Sequence, residues 1–459
     1  MGSVFLVVSS EAACVALRHM NKFENKKLKI WYKPYLKNAR WASLEWATRL
    51  VIGLFNTSLL VNYVGATNFG LISVLLAYGS IALCFTKFGL DPYIGNEIAK
   101  AEGQANDIFI NALLIRLGIT LPVVILIATY TFLSEQLTEF RSFYFILCIY
   151  VIFMSMDIFE QYFFATKKNK LLSVIKITVS FLFMLGKIAA VFLHADLPTI
   201  FALILLEQVI LTLVLLATFQ LKSKYLWKIT PDLELIKNAF RESYPVFIAS
   251  LSVIIYTRVD QIMLAQIVDY KILGYYATAI RFAEVPYAIP VIVVTIFFPA
   301  LIEAKKNGDS DYISRLQFIY NSITLLSVLS TLLVCMLSSF VITILFGQEF
   351  ETAAAILKIY SLCYLFVFIG SVYTRALTIE GRATRIMQRT LVGSCLNIFF
   401  NFILIPNYGG IGAAWATVIS SFFATFVFSF LIKSERNHLR MQLKSITSPF
   451  KTIYRKIII

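Results

Sequence analysis

Residues 41–63 read WASLEWATRLVIGLFNTSLLVNY, and residues 69–90 read FGLISVLLAYGSIALCFTKFGL. Each is about as long as the ~20 apolar residues that carry a helix across a ~30 Å hydrocarbon core. Only the turn VGATN (64–68) parts them. Ten more stretches repeat the pattern: 108–133, 142–165, 171–193, 198–221, 243–268, 273–302, 313–346, 353–379, 386–405 and 410–432. The stretch 313–346 is long for one straight crossing, which implies tilt. Composition agrees, with 59% hydrophobic and 15% charged residues, against roughly half and a quarter in soluble domains. The predicted fold class is an all-α integral membrane protein of about twelve transmembrane helices.

Lys and Arg decide which way the chain faces. Residues 1–40, the alternate connections 91–107, 166–170, 222–241, 303–315 and 380–389, and the tail 433–459 together hold 30 of them. The opposite connections hold only Arg141 and Lys271. A wrong span count would scramble this alternation, so both termini are expected in the cytoplasm. The net charge of +15 then reflects orientation and attraction to anionic lipid, and no nucleic-acid partner is expected. The start, MGSVFLVVSSEAAC, lacks the basic region of a secretory signal. Met20, ahead of a basic stretch, is a natural alternative start. Five of the six cysteines lie in spans and none has metal or redox spacing.

The chain also repeats itself. A shift of 204 carries Gly65–Gly70 onto Asp269–Gly274, Asp107 onto Asp311, and Ile119–Leu121 onto Ile323–Leu325. A shift of 212 sets His194–Pro198 against Pro406–Gly410. Spans one to six thus match spans seven to twelve in the same orientation, a parallel repeat of two six-helix lobes. Such repeats place a substrate site between the lobes near the midplane. The expected division is a cytoplasmic segment (1–40), an N-lobe (41–221), an amphipathic cytoplasmic linker (222–242), a C-lobe (243–432) and a basic cytoplasmic tail (433–459).

Nine Lys or Arg residues remain inside spans, where an isolated charge costs roughly 2.5–3.5 kcal/mol on insertion scales. Lys87, Lys176, Lys358 and Arg375 lie near span ends and are expected to snorkel outward. Arg49 and Arg116 are each eight residues deep, about 12 Å at ~1.5 Å per residue. Arg281, Arg258 and Lys187 are similarly removed from water. Glu45 and Glu284 share helix faces with Arg49 and Arg281. Asp260, two beyond Arg258, points away from it, and Arg116 and Lys187 have no helical partner. Two readings follow: interhelical ion pairs using Asp157, Glu160, Glu207 and Asp260, or a cationic cavity that receives an anionic head group. The planar fork of Arg suits phosphate. Arg49, Arg258 and Arg281 lead as substrate-binding residues, with Arg116, Lys187 and Lys87 behind them. Asp157 and Glu160, three apart on one face of span four, form a pair able to share a proton. Together with Asp260 they are candidates for ion coupling.

Several motifs resemble the polysaccharide-biosynthesis flippases of the Wzx type. They are Asn38–Ser43 (NARWAS), Tyr63–Gly70 (YVGATNFG), Phe88–Asp91 (FGLD), Arg258–Asp260 (RVD), Gly274–Ala277 (GYYA), Phe298–Pro299 and Tyr408–Trp415 (YGGIGAAW). They run from about residue 38 to 432. The resemblance implies membership of the multidrug/oligosaccharidyl-lipid/polysaccharide exporter superfamily, with two lobes and alternating access. It implies transport of an undecaprenyl-diphosphate-linked oligosaccharide from the cytoplasmic to the periplasmic leaflet of a bacterial inner membrane, for O-antigen or another surface polysaccharide. A polysaccharide polymerase and chain-length machinery would be partners. The resemblance also implies cationic cavity residues on spans one, two, seven and eight, which here carry Arg49, Lys87, Arg258 and Arg281.

A cation-coupled multidrug exporter of the same superfamily is the alternative, and should prefer an acidic cavity. A membrane glycosyltransferase, polymerase or ligase is disfavoured, because no connection exceeds about 20 residues and a catalytic domain has no place to sit. The chain has no HExxH, nucleotide loop or Cys/His cluster, so no metal, cofactor or catalytic residue is expected.

Overall fold

The computed structural model describes residues 25–100, 105–134, 140–166, 168–223 and 233–457; the proposed start at Met20 lies outside them. The described residues are helical throughout, with short turns and no strand. Among them, ten helical stretches are long and apolar enough to cross a membrane. Two of these, Ala47–Lys87 and Ala383–Leu431, are 41 and 49 residues long, twice what one crossing needs. Glycine divides each. Helix α1 (Asn25–Lys87) breaks at Gly65, with φ 76° and ψ 170°. A second break, at Gly409 with φ 53° and ψ −130°, falls inside the long helix of spans eleven and twelve. Only glycine tolerates such backbone angles at low cost. Ten apolar stretches therefore supply twelve crossings, as the alternation of basic connections predicts.

The chain falls into two compact units, one ending at Arg258 and the other beginning at Val259. In the first unit, α1 is followed by α2 (Leu90–Lys100), α3 (Ala105–Leu133), α4 (Arg141–Ser155), α5 (Ile158–Ala165), α6 (Asn169–Phe192) and α7 (Leu197–Ser223). Next comes α8 (Leu233–Ile267), inside which the division lies. The sequence places that division in a linker at 222–242. Instead, residues from Leu233 onward already belong to the helix of span seven. Ala239 is fully buried in the first unit's core, with Leu235 and Ile236 packed beside it. The Phe247 ring stacks on Phe88, with centroids 4.6 Å apart. This core is aromatic: Phe109 lies 5.0 Å from Phe159, 5.2 Å from Tyr162 and 4.8 Å from Phe219, centroid to centroid. Such ring pairs contribute beyond their buried area.

The second unit continues with α9 (Tyr270–Ala283), α10 (Ala288–Asn307), α11 (Asp309–Phe346), α12 (Glu351–Ser361), α13 (Cys363–Ile379), α14 (Ala383–Phe422), α15 (Phe428–Leu431) and α16 (Arg436–Ile457). Its core holds Tyr320, Tyr364, Phe368 and Tyr373, all fully buried. The segment expected as a basic tail carries the helix α16, and over residues 436–447 one of its faces is buried. Thr324 and Ser445 share a hydrogen bond of 2.8 Å, and Gln317 Nε2 donates to the Met441 carbonyl at 3.0 Å. Glu435, just ahead of α16, accepts from Tyr373 and Arg382, each at 3.1 Å. Buried polar groups need such partners, so this stretch docks through hydrogen bonds as well as apolar contact.

Candidate functional site

Two helix interruptions in the first unit bring distant charges together. Span two ends at Lys87, and Phe88 and Gly89 follow at φ 45° and 67°. Gly89 is required there twice over. Its φ suits glycine, and a Cβ would sit 2.6 Å from Phe247 N and 2.8 Å from the Ser243 carbonyl. The turn redirects the chain so that Asp91 opens α2. Span four is interrupted between Ser155 and Ile158, with Asp157 at the break. A helix end leaves its last carbonyls without helical partners.

Arg116 fills this gap. Its Nη1 donates to the Ser155 carbonyl at 3.0 Å and to Asp157 Oδ1 at 2.8 Å. Its Nη2 donates to Asp91, and Lys87 Nζ donates to Asp157. Two cations thus face two carboxylates, and the Arg116 side chain has no exposed surface. A buried charge without a partner is far costlier than a paired one. The reading of Lys87 as a snorkelling residue is therefore corrected: it turns inward to Asp157. Asp91, four residues beyond Lys87, pairs with Arg116 across 25 residues.

A second network lies on spans one, four and five. Lys176 Nζ is 2.7 Å from Glu160 and 3.1 Å from Glu45, so it too turns inward rather than snorkelling. Glu45 also meets Arg49 at 3.5 Å and Ser173 Oγ at 3.4 Å. On spans five and six, Lys187 Nζ and Ser180 Oγ donate to Glu207 at 2.7 and 2.9 Å. The local Glu45–Arg49 pair is present as the helical spacing predicts. Asp157 and Glu160 are not bridged to one another or to Lys187; each pairs with its own cations.

The remaining predicted residues stand apart from these networks. Arg258, half-buried, meets no hydrogen-bonding or ionic partner among the described residues. Arg281 is half-buried on α9. Arg375 lies over the Phe298 ring at 5.6 Å, and Lys358 is exposed. Asp260 is buried and accepts from the Tyr276 hydroxyl, which also lies beside Thr417.

Nearby on α14, Asn397 Nδ2 donates to Thr417 at 3.4 Å and Ser420 at 3.3 Å. Asn401 Nδ2 donates to Asn397 at 2.9 Å, while Asn401 Oδ1 is buried without a partner among the described residues. The sequence reading missed Asn397 and Asn401. Two amides four apart in an apolar span were the available signal, since polar side chains inside a membrane are rarely idle.

Comparison with known proteins completes the picture. Residues 36–305 match the family described as polysaccharide biosynthesis protein. An uncharacterized membrane protein of Methanocaldococcus jannaschii is 23% identical over 375 residues, 77% of this chain. The probable low-salt glycan biosynthesis flippase Agl15 of Haloferax volcanii is 27% identical over 197 residues, 41% of this chain. The matched stretches span 65% and 40% of those relatives' lengths.

Among solved structures, the lipid II flippase MurJ in an inward closed conformation aligns with TM-score 0.68 and 18% identity, over 90% of this chain and 92% of that one. An inward-facing multidrug resistance MATE family transporter of the MOP superfamily gives TM-score 0.68 and 14% identity, over 87% and 96%. At such identities the likeness shows the fold. With the family match covering more than half of its residues, the chain belongs to the polysaccharide biosynthesis protein family.

Proposed function

We propose that this protein flips an undecaprenyl-diphosphate-linked oligosaccharide from the cytoplasmic to the outer leaflet of a bacterial inner membrane, with both its termini in the cytoplasm. A diphosphate and its sugars cannot cross hydrocarbon unaided, whereas a polyprenyl chain need not leave it. The observation that carries this reading is Arg258: a half-buried guanidinium in an apolar span, with no partner among the described residues. Placing such a charge in a membrane is costly, and an anionic ligand offsets that cost. Arg49 supports it, because its side chain is 42% exposed while its partner Glu45 is 10% exposed. Arg281 is the third proposed contact. Arg116, Lys187 and Lys87 are engaged by carboxylates, so their proposed part is to hold the first unit together.

Asp260 is the strongest candidate for ion coupling. Its carboxylate accepts from the Tyr276 hydroxyl, which in turn lies beside Thr417, whereas Asp157 and Glu160 are already matched by cations. A polymerase and chain-length machinery are proposed to receive the flipped unit. The fold alone also serves multidrug exporters, but an uncompensated arginine disfavours cationic cargo. In reconstituted vesicles, Arg258→Ala should cut appearance of the lipid-linked glycan in the far leaflet by about tenfold or more, a step of ~1.4 kcal/mol. Insertion and thermal stability should stay near wild type. Unchanged transport in Arg258→Ala would contradict the assignment.

A further inference from the structure

Span twelve closes at Leu431, and both Phe430 and Leu431 are exposed there, as apolar residues that meet lipid are. Helix α16 starts from that end. The side chain of its first residue, Arg436, lies 3.5 Å from the Phe430 carbonyl, with the guanidinium 6.0 Å from the centre of the Phe430 ring. From there the helix is held along one side. His438, Met441, Gln442 and Ser445 are buried, and His438 Nε2 is 3.1 Å from Glu380 at the end of α13. The rest of its circumference is open and divides in two. Arg436, Arg440 and Lys444 are exposed, and a spacing of four turns each only about 40° from the last, so they form one strip. None of the three meets a carboxylate among the described residues, and residues 436–447 contain no Asp or Glu. Between that strip and the buried side stand Leu443 and Ile446, both exposed.

Contact with water alone accounts for the three cations but not for an exposed leucine and isoleucine beside them. A membrane crossing accounts for the apolar pair but not for the cations, which are costly in hydrocarbon. A helix lying in the plane of a membrane surface accounts for both. We propose that α16 lies along the headgroup layer of the leaflet at which span twelve ends, where Arg436, Arg440 and Lys444 bind anionic phospholipid and Leu443 and Ile446 dip into the acyl boundary. The occupant follows from charge and position. A strip of one sign, pinned through Arg436 to the end of a membrane span, faces the phosphates of that leaflet before any other partner. Each cation held near an anionic leaflet strengthens binding by about fivefold. The buried side of α16 holds α11 through Met441 and Ser445 and α13 through His438, so lipid on its outer side clamps the ends of those helices. The proposal does not depend on the cargo.

The test follows amide hydrogen exchange of residues 436–447 in the full-length protein, in vesicles of phosphatidylcholine alone and of phosphatidylcholine and phosphatidylglycerol in equal parts. Exchange should be slower by about tenfold or more in the anionic vesicles. Salt at ~1 M, where charges are screened within ~3 Å, should remove most of that slowing. The variant Arg436→Gln/Arg440→Gln/Lys444→Gln should exchange alike in both vesicles, whereas Arg436→Lys/Arg440→Lys, which keeps the charge, should retain the slowing. If the glutamine variant undocks α16, so that exchange is fast in both vesicles, the salt dependence of wild type decides. Equal exchange of wild type in the two vesicles overturns the proposal, and so does a slowing that the glutamine variant keeps. Equal protection of detergent-solubilised protein by soluble glycerophosphate assigns the strip to free phosphate and overturns the membrane surface. Each of these failures leaves the flippase reading standing.

Discussion

Arg116 and Arg49 carry the same charge at the same expected depth, yet the Arg116 side chain is fully enclosed while that of Arg49 is 42% exposed. Arg116 is enclosed by Asp91, Asp157 and the Ser155 carbonyl. Removing one partner of a buried ion pair costs ~3–5 kcal/mol, mostly because the other charge is left unpaired. Arg116→Leu should therefore lower stability by ~3–5 kcal/mol in thermal unfolding in detergent, and adding Asp91→Leu should restore part of the loss. A loss below ~1 kcal/mol would show that the network is dispensable. Glu380 makes a prediction outside the membrane. Burial pushes its carboxyl up, but His438, Tyr312 and Arg382 outweigh this and hold it below its ordinary value of 4.5. A group that titrates lower when folded stabilises fully above its unfolded value, and that stability fades as pH falls through the folded value. Below pH 4.5 wild type should lose stability more steeply than Glu380→Gln; identical slopes would contradict the pairing.

Helices were legible where apolar runs were long, and their breaks were legible only in part. Span edges near Gly65 and Gly409 could be placed because a turn must separate two crossings. The breaks at Phe88–Gly89 and at Asp157 carry no such necessity, and these breaks are what deliver Asp91 and Asp157 to Arg116. Pairing in sequence follows helix spacing, which found Glu45 with Arg49. Pairing across helices follows tertiary contact, which no spacing encodes. Proximity to a span end permits both snorkelling and inward pairing, so Lys87 and Lys176 were misread. The tail's burial was missed for a related reason: its basic residues drew the reading, while its buried face rests on a few positions such as Gln442 and Ser445. Glycine supplies a test at this scale. Gly53 and Gly65 both face open space, but only Gly65 has positive φ. Gly65→Ala should cost ~1–3 kcal/mol. Gly53→Ala, inside regular helix, should be neutral or stabilise by up to ~1 kcal/mol. Equal effects of the two in thermal unfolding would mean that the Gly65 turn carries no strain.

For the whole molecule, alternation of basic connections, an internal repeat and twelve crossings all point to one architecture, and the family match agrees with it. The fold does not by itself separate a lipid flippase from a multidrug transporter, since a solved structure of each aligns with this chain at TM-score 0.68. The separation rests on charge. In the first unit, Arg116, Lys87, Lys176 and Lys187 are each neutralised by carboxylates, leaving Arg49 and Arg258 with guanidinium surface to offer. Cargo should therefore be anionic. The most direct test supplies purified protein in vesicles with a lipid-linked diphosphate glycan and, separately, with a lipophilic organic cation. The account predicts protein-dependent transfer of the glycan lipid and none of the cation. Transfer of the cation with no transfer of the glycan lipid would contradict it.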